Sequence, residues 1–337
     1  MFAKRIWNSL LSLPAMAILS IGASAGEITA YTSLEEDDAK VYVEAFNKEH
    51  PDVTVHLLRL STGDLGARML AEKSNPQHDV IWGWAVTNMV DPRILEMLTP
   101  YSPEGVDKMD SQFRDAEGRW FATTGYFAAF CVNKPMSEAK KLPIPTSWED
   151  LLNPVYKGEI VMPNAASSGT GYLGVASLLQ MKGEEEGWKF MKELDKNVAQ
   201  YIKSGSKPCR MASAGEYAIG TSFAFAAVKQ IHEGFPITMV IPKEGAGYEI
   251  ETSGLMKTSK NPEDAKKFLN WLLTPAAAKL YGERAEMNSV PGGEQAQIAR
   301  DAGIPEDVTS VLFKMDFARS AAEKDSILKK WQAEIER

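Results

Sequence analysis

Residues 27–51 read EITAYTSLEEDDAKVYVEAFNKEHP, and they decide the fold. Ile28 to Tyr31 is a short apolar strand, and Pro51 is a stop. Between them Ala39, Tyr42, Val43 and Phe46 recur at i, i+3, i+4 and i+7, the spacing of one helix face that packs on a sheet. Ser33 and Glu36 have the spacing of a capping box ahead of that helix. Outward from here, Val53 to Leu58 predicts a second strand, Asp64 to Lys73 a second helix and Asp79 to Trp84 a third strand. Strands alternating with helices make a mostly parallel sheet with helices on its faces.

The pattern returns after residue 145. Thr146 and Glu149 have capping-box spacing, Glu159 to Met162 is a strand, and a helix starts near Gly169. Asn197 to Lys203 and Tyr217 to Thr221 are further strands, each followed by a helix. Two α/β blocks of this size suit a chain whose mature part, roughly 310 residues, exceeds one comfortable core. The candidate crossings are Phe127 to Asn133 and Ile237 to Pro242. Residues 26–130 are therefore expected to begin lobe 1 and 131–240 to form lobe 2. Residues 241–337 return to complete lobe 1 and contribute C-terminal helices to the lobes. One of these is capped by Asn261 with Pro262 at its first position, and Ala265, Phe268, Leu269 and Leu272 share its inner face. The helices of residues 305–337 are not assigned to one lobe by the sequence. A chain that leaves a lobe, builds another and returns makes a hinged cleft.

Residues 1–25 read as an export signal. Lys4 and Arg5 precede an apolar run from Leu10 to Ile21, and Ala23-Ser24-Ala25 fits a cleavage site after Ala25. The apolar run, interrupted by Pro14, falls short of the ~20 residues that span a bilayer. A periplasmic product is expected, and a monomer. Its charge, two units more negative than the −8 of the full chain, is spread without a basic stripe, which excludes nucleic acid as a partner. Export together with an even cysteine count predicts a Cys131–Cys209 disulfide within the second lobe. His50, His56, His78 and His232 are scattered without metal-binding spacing, so neither a metal nor a cofactor is expected.

The stretch Pro163-Asn164-Ala165-Ala166-Ser167-Ser168-Gly169-Thr170-Gly171 lies between a strand and a helix. Small residues let backbone N–H groups approach a ligand, and the helix N-terminus favours anionic oxygens without an arginine. An ordinary serine-rich cap has the same look. Ser61-Thr62-Gly63 and Ser204-Gly205-Ser206 are two companion loops, each after a strand and before a helix. In open α/β sheets such loops gather at the strands' carboxyl ends, which favours one shared anion site. Tyr31, Trp84, Tyr126, Phe223 and Phe225 are candidates for an aromatic wall, with Glu35 or Glu36 close by. Gly169 to Gly174 also matches G-x-G-x-x-G, but the segment twenty residues on reads as helix rather than as a strand ending in an acid. Ser204 to Lys207 and Ser137 to Lys140 both match S-x-x-K without the companion motifs of serine acyl-enzymes. Binding without chemistry is favoured over a secreted enzyme acting on phosphorylated or phosphonylated compounds.

Asn133-Lys134, Pro145 to Leu151, Tyr156 to Ile160 and the Asn261 to Leu273 helix resemble the type II periplasmic binding proteins of ABC importers, in their ferric-binding-protein-like branch. Tyr31 to Asp37, Ser61 to Gly63, Met162 to Gly171 and Ser204 to Cys209 resemble the 2-aminoethylphosphonate-binding members. The resemblance implies a two-lobed α/β protein that closes on a small anionic or zwitterionic ligand and docks on a permease driven by an ATPase. It implies a phosphonate on the Ser-Gly-Thr-Gly turn and the Ser-Thr-Gly loop, held by Ser167, Ser168, Gly169, Thr170 and Gly171 and aided by Ser61, Thr62 and Ser204, with Ser33 a further ligand-binding candidate. The amine would lie near Glu35, Trp84, Tyr126 and Phe225. Thr221 to Phe225 lacks the acidic and phenolic side chains expected to grip an amine there, and also the paired tyrosines of ferric binders. Iron or another small anion is thus the alternative ligand.

Overall fold

The computed structural model describes residues 26–284 and 287–336. The expected export signal and its cleavage site after Ala25 lie outside the described residues. Among the described residues eleven strands form: β1 Gly26–Thr32, β2 Val53–Arg59, β3 Val80–Ala85, β4 Leu98–Thr99, β5 Phe121–Asn133, β6 Ile160–Pro163, β7 Val198–Ile202, β8 Ile219–Phe223, β9 Ile237–Val240, β10 Tyr248–Met256 and β11 Met287–Asn288. Their main order is β2-β1-β3-β10-β5-β8-β6-β7. β1 runs parallel to β2 and β3, and the helices Glu36–Glu49 and Thr62–Ala71 make the crossovers. β6 runs parallel to β7 and β8 in the same manner.

β5 joins the two blocks. Its first half, to Phe127, pairs with β10, and from Ala128 onward it pairs with β8 and β9. One continuous strand therefore belongs to both lobes of a two-lobed α/β fold.

Each lobe buries its own core. Ala39, Tyr42, Val43 and Phe46 pack with Ile28, Trp82, Phe268, Leu269 and Leu272 in the first. In the second, Trp148, Tyr172, Leu178 and Trp188 are joined by Ile327 and Trp331 from the terminal helix Phe317–Glu334 and by Ile335 at its end. That helix also reaches the first lobe, where Lys324 donates to Asn88 Oδ1 and Arg93 pairs with Asp325 at 3.3 Å. Cys131 and Cys209 are bridged, tying the helix Lys207–Ser213 to β5. In the chain-entropy model, closing a loop of this length adds up to ~4 kcal/mol.

The expected caps are replaced by other bonds. Ser33 Oγ donates to the Gly83 carbonyl at 3.0 Å, so it holds its loop to β3 while the helix starts at Glu36 without a side-chain cap. Thr146 bonds to Asp150 rather than Glu149, ahead of a single short turn at Glu149–Leu152. Asn261 stands at the N-cap position, but its amide donates to the Glu27 carbonyl and ties the helix Pro262–Trp271 to β1.

Candidate functional site

Strand ends and helix starts from both lobes converge on an interlobe cavity of about 250 Å³. Ser61 and Thr62 open the helix Thr62–Ala71, and Ser168 is the N-cap of the helix Gly169–Lys182, its hydroxyl accepting from Gly171 N at 3.3 Å. The two starts meet across the lobes. Gly63 N donates to the Ser167 carbonyl at 2.9 Å, and a Cβ on Gly169 would lie 2.6 Å from Thr62 Oγ1 and 2.8 Å from the Tyr126 hydroxyl. Only glycine permits so close an approach. The third loop arrives through Gly205 and Ser206, where a Cβ on Gly205 would collide with Thr170 Oγ1. Helix N-termini, hydroxyls and bare backbone thus face one volume, an arrangement that favours anionic oxygens.

Ser33, Glu35, Ser61, Thr62, Tyr126, Ser168, Gly169, Thr170 and Phe225 line this cavity. Four residues singled out in the sequence stand behind it. Ser167 is buried and supplies the carbonyl that receives Gly63. Gly171 lies inside the helix, with Asn164 where a side chain would go. Ser204 Oγ caps Lys207 N at 3.2 Å. Trp84 is in the core under the helix Thr62–Ala71, its indole N–H donating to the Thr62 carbonyl at 3.0 Å. Tyr31 shares that core and bonds to Glu72, so neither ring walls the cleft. The observed aromatic lining is Tyr42, Tyr126, Phe223 and Phe225, with the Tyr126 and Phe223 rings 5.8 Å apart.

The lining also contains charges that the sequence did not single out. Arg59, Arg210, Lys229 and Arg284 enter from four elements, together with Asp38 and Glu251. Glu35 lies between Arg59 of its own lobe at 3.4 Å and Arg210 of the other at 3.9 Å. Asp38 is buried between Lys229 at 2.5 Å, across the cleft, and Arg284 at 3.0 Å. Glu251 accepts from the Thr124 hydroxyl at 2.5 Å. Burial pushes its carboxyl up to about 7; Thr124 opposes the shift, whereas the nearby Asp38 and Glu35 charges add to it. A weak signal was present: Arg210 follows Ser206 by four residues and Lys229 follows Phe225 by four, one helical turn back from the cleft.

Among the described residues no group of three or more His, Cys, Asp or Glu side chains is placed to hold a metal ion, and no helix is long and apolar enough to cross a membrane. A hinged pair of α/β lobes with a polar cleft between them is the architecture of the type II periplasmic binding proteins. The chain belongs to the bacterial extracellular solute-binding proteins, whose family model matches residues 89–321. It is similar to the periplasmic binding protein AfuA from Actinobacillus pleuropneumoniae, solved with fructose-6-phosphate bound: 28% identity, TM-score 0.85, covering 93% of this chain and 99% of that one. It is also 27% identical to a probable ABC transporter periplasmic-binding protein of Sinorhizobium fredii, over 83% of this chain and 79% of the relative. An Fe(3+)-binding periplasmic protein of Serratia marcescens is 25% identical, over 77% of this chain and 78% of the relative.

Proposed function

We propose that this solute-binding protein is the periplasmic component of an ABC importer and captures a small phosphonate, 2-aminoethylphosphonate or a close analogue. The observation that carries this reading is the meeting of two helix N-termini, at Thr62 and Gly169, with the Ser206 loop around one cavity. Ser168, Gly169 and Thr170 hold the phosphonate oxygens, aided by Ser61, Thr62 and Ser206, while Arg59 and Arg210 add positive charge nearby. The membrane permease and its ATPase are the partners, and the protein acts by binding rather than by chemistry.

Hydrogen bonds to a charged group contribute ~1.5–3 kcal/mol each, so Thr170→Ala is expected to weaken binding by roughly ten- to a hundredfold. Calorimetry with 2-aminoethylphosphonate and with methylphosphonate checks it, because loss at the anion end affects both alike. Unchanged affinity for both puts the anion elsewhere. A sugar phosphate is the second reading, favoured by the likeness to a protein solved with fructose-6-phosphate. It would use the same anion end and replace the amine with hydroxyls. Including fructose-6-phosphate in the titrations separates the two.

A further inference from the structure

Nine-residue β10 carries Glu251, which among the described residues is the one buried or half-buried cleft acid that has no ion pair; Asp37 and Glu233 also line the cleft but are exposed. Every cation lining the cleft faces a different carboxylate: Arg59 and Arg210 face Glu35, and Lys229 and Arg284 face Asp38. Glu251 has the Thr124 hydroxyl of β5 instead. Its charged and titratable surroundings are Glu35 from the first loop, Asp38 and Tyr42 from the helix Glu36–Glu49, Tyr281 from the helix Pro275–Arg284, and Glu249 on its own strand. None of these is a cation. Lys229 and Arg284 reach the same end of the cleft already engaged by Asp38. A half-buried carboxylate with other acids around it is held unfavourably until a positive group arrives.

We infer that Glu251 is the specificity-determining residue for a ligand that carries an ammonium group opposite its phosphonate. This rests on the anion end assigned above and names the second half of the ligand's chemistry. Glu35, placed between two arginines, is the weaker candidate for that role. The ammonium gives Glu251 its missing countercharge and displaces its proton to solvent. Because the carboxyl sits at about 7 before the ligand arrives, amine binding is coupled to that proton's release.

The experiment measures the ratio of affinities for 2-aminoethylphosphonate and methylphosphonate, by calorimetry, in the wild type and in Glu251→Gln. A charge-assisted contact is lost in the variant, so the ratio is expected to fall about ten- to a hundredfold. Relative to the variant, the wild-type ratio is expected to climb from about pH 5.5 and level off near pH 8. Buffers of different ionisation enthalpy should report proton release for the amine ligand. A ratio unchanged by Glu251→Gln overturns the assignment, and so does loss of both ligands in equal measure, which marks a role in holding β5 to β10. Should the variant fail to fold, the wild-type proton release decides, and its absence overturns the assignment. Wild-type protein that binds no phosphonate refutes the anion end as well, an outcome distinct from an unchanged ratio. Tight fructose-6-phosphate binding that is lost in Glu251→Gln assigns the carboxylate to hydroxyls and overturns the ammonium.

Discussion

Glu249 and Glu251 stand two residues apart on β10, opposite Tyr126 and Thr124 of β5; the first is buried and the second half-buried at the cleft. Burial pushes Glu249 up to about 8 and Glu251 up to about 7. Their surroundings differ in one respect. Glu249 accepts from the backbone and hydroxyl of Thr87 at 3.3 and 3.2 Å and is drawn to the Lys324 ammonium, which burial lowers to about 8. Glu251 faces the cleft with a single hydroxyl. A buried acid with a cation nearby is a structural element of the seam between lobes, whereas the same side chain without one is a place where a ligand's positive group would be stabilised.

The comparison breaks most visibly if Glu249 loses its cation. Lys324 also bonds Asn88 and lies 5.4 Å over the Tyr172 ring, so Lys324→Met leaves several groups without partners. A loss of ~1–3 kcal/mol, a melting temperature several degrees lower, is expected. An unchanged melt would mean that Glu249 needs no countercharge. Giving Glu251 a cation sharpens the contrast from the other side. Asp38→Asn releases Lys229 and Arg284, which then turn toward Glu251 and lower its carboxyl. Calorimetry should show the preference for the amine-bearing phosphonate falling about tenfold. The smallest effect is that of Glu249→Gln on pH dependence. A carboxyl raised to about 8 keeps a proton that the unfolded chain gives up near its ordinary value, so stability falls as pH climbs between those two values. The variant, which never ionises, should gain a degree or two on the wild type in melts between about pH 5 and about pH 8.

The sequence exposes the scaffold because its signals are local. Helix periodicity at Ala39 to Phe46 and the strand from Ile28 depend on neighbours a few residues away, and the structure has both elements. The serine-bearing loops are visible for the same reason. The charges are not: Arg59, Arg210, Lys229, Arg284 and Glu251 come together only when both lobes are folded and facing. Trp84 shows a second limit. An aromatic residue at a strand's end belongs to the cleft or to the core according to which face the strand presents, and a fully apolar strand such as Val80–Ala85 has no alternation from which to read it.

The order in which the chain is made follows from the position of β10. It lies between β3 and β5 in the first lobe, yet it is synthesised after all the strands of the second, β6 to β9. The second lobe in turn waits for Ile327, Trp331 and Ile335 to close its core. Neither half can therefore reach a cooperative folded state while the ribosome is still extending the middle of the chain. Folding as one cooperative unit is deferred until the helix Phe317–Glu334 has been made.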